Sequence, residues 1–444
     1  MAGNEEHGAV EEHSAVEEHR TIEAIEQDPT AAPAATAPAV VSGTMTAHDY
    51  FAMSWQRVKG GETGVLPVLA GLIIVSVLFQ WQNDNFLTVA NIVNLFVQAA
   101  VFSLLAMGEI YVLLLGEIDL SAGFVLGLTA VVMSTLAKPS GAHWPWWAAM
   151  GAGLLVAALI GIVQGSLITR LGLPSFVVTL AGLLFWQGVM LRMLGNGGSI
   201  LIQDKVINGI VSNNLSRVGG WVVMLVLVAL YGLSTWRRDE RRRDSGLTAP
   251  PRSLTLGKIG LALAGGTVLI LICNADRGRI AEVYGVPYVL LVVLAVLALW
   301  TFVLGRTRFG RYIYAIGGNA EAARRAGVNL ARVRTAAFML CSLTAGIAGV
   351  VYASRLRSIS TAVDGGTLVL YAVAAAVIGG TSLFGGRGRV MHGVLGGIVI
   401  AAIYNGMGLL GFEAAVQYMV TALVLIAAVI IDAVSRRNRP SATG

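Results

Sequence analysis

The chain has 444 residues, of which 56% are hydrophobic and 13% are charged. Its mean hydropathy of +0.73 excludes a soluble globular protein. Inside a bilayer, backbone polar groups must be paired within helices or closed barrels, and these apolar runs lack the period-two alternation of barrel strands. We therefore predict an all-α polytopic membrane protein. Cys273 and Cys341 stand in apolar runs, where packing is their expected role, so no disulfide or metal framework is implied.

The N-terminal segment 1–45 differs from the rest of the chain in composition. It holds nine acidic residues and one arginine, although the whole chain carries a net charge of +6. A Glu-Glu-His repeat with a six-residue period ends at His7, His13 and His19, and this period suits no helix face. The composition predicts a disordered acidic cytoplasmic tail rather than a signal peptide. Metal binding by the three histidines is the alternative to solvated side chains.

Twelve apolar segments follow, each near the length of about 20 residues that crosses a bilayer. They lie at 64–81, 91–115, 120–137, 146–169, 174–194, 219–236, 256–275, 286–304, 334–353, 367–384, 390–410 and 414–432. The stretch 91–137 could hold two long helices or three shorter ones, so the prediction is about 10–12 transmembrane helices. We assign 46–434 to the transmembrane domain and 435–444 to a C-terminal cytoplasmic tail.

Basic residues indicate which loops face the cytoplasm. Arginine outnumbers lysine 27 to 4, and arginines cluster in alternate loops, as the positive-inside rule expects of cytoplasmic loops. This pattern places both termini in the cytoplasm. The basic cytoplasmic loop 237–258 is either a topology determinant alone or also a contact for anionic lipid headgroups.

The most arginine-rich loop, 306–334, contains seven arginines and a single acid, Glu321. Within it, the Asn319 side chain can cap a short helix and Gly327 can end that helix. A loop that only linked two membrane helices would not need a capped helix of its own. Residues 320–326 are therefore either a docking helix for a partner or part of a solvated basic loop.

An acidic motif interrupts the longest apolar stretch, with the sequence Gly116-Glu117-Ile118-Asp119-Leu120-Ser121-Ala122-Gly123. An ionised acid at the centre of a membrane helix costs about 2.5–3.5 kcal/mol. Such acids tend to lie at a helix break or face a water-filled path, as in transporters with discontinuous helices. The alternative is that Asp119 only caps a helix at the bilayer surface.

Other polar residues in apolar segments are candidates to line a path, among them Trp186, Gln187 and Asn405. Interhelical hydrogen bonds explain such residues equally well. The chain has no G-x-x-x-x-G-K-[ST] phosphate loop, since the nearest approach, Gly257-Lys258, lacks the preceding glycine and the following hydroxyl residue. Any ATP chemistry therefore requires a separate subunit.

Several of these motifs resemble those of one family. Glu321-Ala322-Ala323, followed after three residues by Gly327, resembles the coupling motif of ABC importer permeases. The acidic motif resembles that of sugar permeases of the ribose/galactose/xylose group, and Glu117 before Ile-Asp-Leu-Ser is most like the D-xylose form. Further strings that resemble this group are Pro174 to Gly182, Tyr314 to Asn319, Val377 to Gly386 and Asn405 to Met407. One departure is Tyr371, where the family usually has an acid.

The resemblance implies a type II ABC importer-like permease that translocates a monosaccharide, D-xylose or a related sugar. It implies an ABC ATPase subunit, an extracytoplasmic sugar-binding protein and a second permease copy as partners in the inner (plasma) membrane. The loop 312–333 would be the cytoplasmic coupling loop. The implied ATPase-coupling residues are Asn319, Glu321, Ala322, Ala323, Arg324 and Gly327. The residues expected to line the translocation pathway are Glu117, Asp119, Ser121, Trp186, Gln187 and Asn405.

We expect no catalytic residue, cofactor, metal or nucleic-acid partner, because such a chain is a transport subunit. The alternative function is an ion-coupled secondary transporter of the major-facilitator kind. The turn Gly385 to Arg389 faintly resembles the glycine/arginine turn of that family, but its acid is missing. A membrane enzyme is a third possibility, and the chain lacks a clustered His, Cys or carboxylate site for one.

Overall fold

A computed structural model describes residues 66–247, 249–278 and 282–437. The predicted tail 1–45 and residues 438–444 lie outside this part of the chain. The helices that it contains are α1 Leu66–Gln82, α2 Val89–Leu113, α3 Ala122–Ala137, α4 Trp146–Leu171, α5 Ser175–Leu194, α6 Lys205–Ser212, α7 Arg217–Asp244, α8 Arg252–Asn274, α9 Tyr288–Arg306, α10 Arg308–Gly318, α11 Ala320–Arg325, α12 Leu330–Leu356, α13 Gly365–Ile378, α14 Val390–Leu409 and α15 Ala414–Arg437.

The helices confirm the all-α polytopic prediction. Among the described residues, eight helices are long and apolar enough to cross a membrane, and four shorter apolar helices accompany them. Each of the twelve predicted apolar segments overlaps one of these helices. The stretch 91–137 resolves into α2 and α3, because the chain leaves helical geometry after Leu113 and turns at Gly116, which has a φ of +77°.

Two short strands were not predicted. Strand β1 (Ser199–Leu201) pairs antiparallel with β2 (Ser358–Ser360), so that Ile200 lies opposite Ile359. The pair joins the segment after α5 to the end of α12. We call this end of the helical bundle the sheet face. The opposite end, where α10 and α11 lie before α12 begins, is the coupling face.

The centre of the bundle is formed by α2, α12 and α14, with α3, α4 and α13 packed around them. Small residues bring these helices close together. At Gly161 of α4 a Cβ atom would lie 2.5 Å from the Phe338 carbonyl oxygen of α12. At Gly397 of α14 it would lie 2.8 Å from the backbone nitrogen of Ser103 in α2. Close packing of small residues replaces the hydrophobic effect as the main attraction between helices in lipid.

Helices α7 and α8 form a hairpin that packs through its own small cluster, which includes Met224, Ile270 and Cys273. The predicted basic loop 237–258 is mostly helical, because α7 continues to Asp244 and α8 begins at Arg252. Arginine and glutamate are good helix formers, and the Glu240–Arg243 ion pair at i,i+3 supports the extra turns.

Candidate functional site

Helix α11 on the coupling face has the two ends that the sequence predicts. At its start, the Asn319 side-chain oxygen accepts a hydrogen bond from the Ala322 backbone N–H at 2.9 Å. At its end, the N–H of Gly327 donates to the Arg324 carbonyl and that of Val328 donates to the Ala323 carbonyl. These two bonds form a Schellman motif, and Gly327 takes the positive φ of +82° that the motif requires.

The exposed side of α11 carries charged side chains that form ion pairs with one another. Glu321 pairs with Arg324 at 2.8 Å and with Arg325 at 3.2 Å. Hydrogen bonds from these two guanidinium groups hold the pKa of the Glu321 carboxyl below its usual range. Glu321, Ala322 and Arg324 are exposed. A partner that docks on this helix therefore meets a short alanine surface bordered by an ion-pair network.

Ala323 differs from its neighbours on α11 in its burial. The sequence placed it among the coupling residues that a partner would touch, but its side chain is only 5% exposed and packs into the core of the chain. The exposed alanines of this segment are Ala322 and Ala326. Neighbouring residues of a short helix point in different directions, and the sequence could not show which alanine faces inward.

Three motifs that are far apart in the sequence meet on the coupling face. The Gly386 N–H donates to the Leu114 carbonyl at 2.9 Å, and a Cβ atom at Gly317 would lie only 1.8 Å from that same carbonyl oxygen. Gly385 lies beside both backbones, and the Tyr314 hydroxyl donates to the Gly388 carbonyl at 2.7 Å. We call Leu114, Gly317, Gly385 and Gly386 the glycine junction. It fixes the end of α10 against the end of α2.

The predicted helix break lies directly after this junction. Asp119 is 0% exposed, so its carboxylate lies inside the protein. Its carboxylate accepts a hydrogen bond from the Ser121 backbone N–H at 3.0 Å, just before α3 begins. The Ser121 hydroxyl oxygen lies 2.6 Å from Asp119 Oδ1 and 2.8 Å from Gln164 Oε1 of α4. The motif therefore stabilises the restart of the helix from inside the protein.

A second acid joins this cluster. Glu109 of α2 is 0% exposed, and its carboxylate lies 3.5 Å from the backbone nitrogen of Asp119. The Cys341 thiol of α12 donates towards Glu109 Oε1 at 3.7 Å. We call Glu109, Asp119, Ser121, Gln164 and Cys341 the acid cluster. Sequence reasoning gave Gln164 no role, although an isolated amide in the apolar helix α4 was a usable signal.

An ion pair connects the acidic motif to α12. The Arg334 Nε atom lies 3.1 Å from Glu117 Oε1, and both side chains are more than half buried. Arg334 stands in the second turn of α12, which begins directly after the coupling loop. The sequence identified Arg334 only as part of a cytoplasmic basic loop, because its partner is more than 200 residues away.

The remaining pathway candidates lie in two places. Trp186 and Gln187 are partly buried on α5. One turn before Trp186, a Cβ atom at Gly182 would touch the Gln164 amide, so this side of α5 faces the acid cluster. Asn405 is not near that cluster. It exchanges two amide hydrogen bonds with Asn91, at 2.8 and 3.0 Å, and Asn91 precedes Glu109 by about 27 Å of helix.

Tyr371 stands where the resemblance leads us to expect an acid. Its hydroxyl oxygen accepts from the Thr421 hydroxyl at 3.0 Å. Its ring packs edge-on against Phe102 at 5.3 Å and Tyr404 at 6.1 Å between ring centres. An aromatic cluster thus replaces the expected carboxylate, and this position offers ring faces and one hydroxyl group rather than a charge.

Comparison with known proteins identifies relatives along most of the chain. A family model described as "Branched-chain amino acid transport system / permease component" matches residues 91–429. The xylose transport system permease protein XylH of Escherichia coli (strain K12) is 34% identical over 376 residues, which cover 84% of this chain and 93% of that protein. The ribose import permease protein RbsC of the same organism is 29% identical over 389 residues, covering 88% of this chain and 98% of that protein. The D-allose transport system permease protein AlsC is 30% identical over 383 residues, covering 86% and 93%. No solved structure gives a significant match.

Proposed function

We propose, since this chain belongs to the Branched-chain amino acid transport system / permease component family, that it is the membrane-spanning subunit of an ATP-driven monosaccharide importer. The family description names amino acids, but relatives that align over nearly their full length are named for xylose, ribose and D-allose transport. The Glu-Ile-Asp-Leu-Ser form of the acidic motif favours D-xylose or a related sugar as the substrate.

The observation that carries this proposal is the capped helix α11 on the coupling face. Its exposed residues Glu321, Ala322 and Arg324 suit docking of a separate ATPase subunit, which is needed because the chain has no phosphate loop of its own. Two permease copies would surround the path. A sugar-binding protein outside the cell would deliver the substrate to the sheet face.

Two connections would carry a movement of α11 into the membrane domain. The first is the glycine junction, which ties the end of α10 to Leu114 at the end of α2. The second is the Arg334–Glu117 ion pair, which ties α12 to the acidic motif. Both connections lead to the break between α2 and α3. ATP binding and hydrolysis in the docked subunit would therefore shift the break, and with it access to the path beside Asp119.

Transport by reconstituted protein tests the proposal. The purified permease is placed in proteoliposomes with an ATPase subunit and a sugar-binding protein from the same genome, and uptake of labelled xylose is measured. We expect uptake that requires hydrolysable ATP and is competed by unlabelled xylose more strongly than by ribose or allose. Competition by leucine would contradict the sugar assignment. Uptake driven by a proton gradient without the ATPase would instead support the secondary-transporter alternative.

A further inference from the structure

A cavity lined by arginines lies at the coupling-face end of the α7–α8 hairpin. Its volume is about 420 Å³, and α7 and α9 both contribute to its lining. Its walls contain five arginines, two serines and Leu247, and no acidic residue. The arginines are Arg237, Arg238, Arg241, Arg242 and Arg306. We call these five residues the arginine pocket.

Two acids in this part of α7, Asp239 and Glu240, already have partners. Asp239 is 1% exposed and accepts a hydrogen bond from Thr255 of α8 at 2.8 Å. Glu240 forms ion pairs with Arg243 and Arg252, which do not line the cavity. Within the part of the chain that the structure describes, only Arg238 of the pocket has a carboxylate partner, the other oxygen of Asp239, at 3.5 Å. Like charges around one cavity repel each other, so a bound anion would stabilise this arrangement.

The position of the pocket along the membrane-spanning helix α7 indicates the source of that anion. The first 20 residues of α7, from Arg217 to Trp236, span about 30 Å, which equals the thickness of the hydrocarbon core. Arg237 follows at once, so the pocket begins where phospholipid headgroups lie. The preceding two turns expose Leu230 (59%), Tyr231 (45%) and Leu233 (48%). Such a surface suits acyl chains rather than water.

We propose that the arginine pocket binds the phosphate of an anionic phospholipid headgroup, with the acyl chains along the exposed apolar side of α7. Guanidinium groups bind phosphate through paired, charge-assisted hydrogen bonds. Arg306 lies at the end of α9 and the other four arginines lie on α7, so the headgroup would bridge two helices. The hydrophobic cluster of the hairpin, with Met224, Ile270 and Cys273, lies towards its other end. The lipid would therefore fix the hairpin to the rest of the bundle at the coupling face.

Lipid retention by the full-length protein tests this proposal. The purified protein is mixed with phosphatidylglycerol or phosphatidylcholine of the same acyl composition, and bound lipid is counted by native mass spectrometry. We expect the wild type to prefer phosphatidylglycerol by about tenfold and the double variant Arg241→Gln/Arg306→Gln to lose this preference. The matched control, Arg170→Gln/Arg308→Gln, removes two exposed arginines outside the pocket and should change retention less than about twofold.

A second variant controls for misfolding, and competition with inorganic phosphate identifies the ligand. Arg241→Lys/Arg306→Lys keeps both charges but loses the planar fork, so retention should fall between those of the wild type and the glutamine variant. Unchanged retention in the glutamine variant would overturn the proposal. Displacement of phosphatidylglycerol by inorganic phosphate would also overturn it, because the pocket would then bind a soluble anion. Phosphatidylglycerol binding only after deletion of residues 2–44 would overturn it too, because the acidic tail would then be the occupant. The assay involves no transport, so its outcome is independent of the proposed importer function.

Discussion

Gly317 has no side chain, and this lets two parts of the backbone pack in direct contact. A Cβ atom at this position would lie 1.8 Å from the Leu114 carbonyl oxygen, which already accepts a hydrogen bond from Gly386. The obstacle is backbone rather than a flexible side chain, so the glycine junction must open to admit a methyl group. The neighbouring Gly318 has no atom within 4 Å of the same position. These adjacent glycines form a matched pair for experiment.

We expect Gly317→Ala to lower the free energy of unfolding by about 1–3 kcal/mol, the usual cost of overpacking. Gly318→Ala should leave stability unchanged or slightly improved, because alanine is the better helix former. The measurement is the apparent Tm of the purified protein in detergent at a fixed scan rate. Equal Tm values for the two variants would show that the junction is not held as tightly as the structure indicates.

Two substitutions at Asp119 separate the effect of its hydrogen bonds from the effect of its charge. Asp119→Asn keeps an oxygen that can accept from the Ser121 N–H and hydroxyl, whereas Asp119→Leu leaves these buried donors without that partner. We expect the leucine variant to lose about 1–3 kcal/mol of stability and the asparagine variant to lose much less. Tm and sugar uptake, measured on the same preparations, check this. If both variants match the wild type, Asp119 has neither a structural nor a transport role.

In helix α11, the burial of each alanine decides which property its substitution would test. Ala322 is exposed and Ala323 is buried, so the two residues report on different interactions. We expect Ala322→Trp to reduce co-purification of the ATPase subunit by at least about tenfold with an unchanged Tm, because a bulky side chain blocks close docking. Ala323→Asp should instead lower the Tm of the permease alone, because it buries an unpaired charge in the core.

The comparison between these two variants separates docking from folding. Ala326→Trp is a further exposed change on the same segment and should behave as Ala322→Trp does. Normal ATPase recovery with both tryptophan variants would contradict docking on α11. The proposed function would then lose the observation that carries it.

Fusions on the two faces of the bundle would test its direction in the membrane. The loop after α3 lies on the sheet face, and the turn between α7 and α8 lies on the coupling face. We expect alkaline phosphatase fused after Gly141 to be active, because it is exported, and the same enzyme fused after Gly246 to be inactive. Fluorescence of a green fluorescent protein at the two sites should show the reverse pattern. The opposite result at both sites would place the coupling helix outside the cell and exclude docking of a cytoplasmic ATPase.

The sequence by itself determined the features that depend on neighbouring residues. Apolar runs of membrane-spanning length predicted the transmembrane helices, because burial in lipid depends on composition over one short segment. The cap at Asn319 and the end at Gly327 were also predictable, since a helix end is fixed by residues within one turn. The acidic motif likewise offered a helix break after α2 as one of two interpretations, although not how deeply it is buried.

Only the tertiary structure decided which of these local features touch one another. The glycine junction joins Leu114 to Gly317 and Gly386, and the acid cluster adds Gln164 and Cys341 to the predicted motif. Tertiary structure alone also decided three further features, namely the inward direction of Ala323, the pairing of β1 with β2 and the partner of Arg334. These contacts join residues tens to hundreds of positions apart. A local pattern fixes how each segment folds, but the packing of all the helices together fixes which side chains meet.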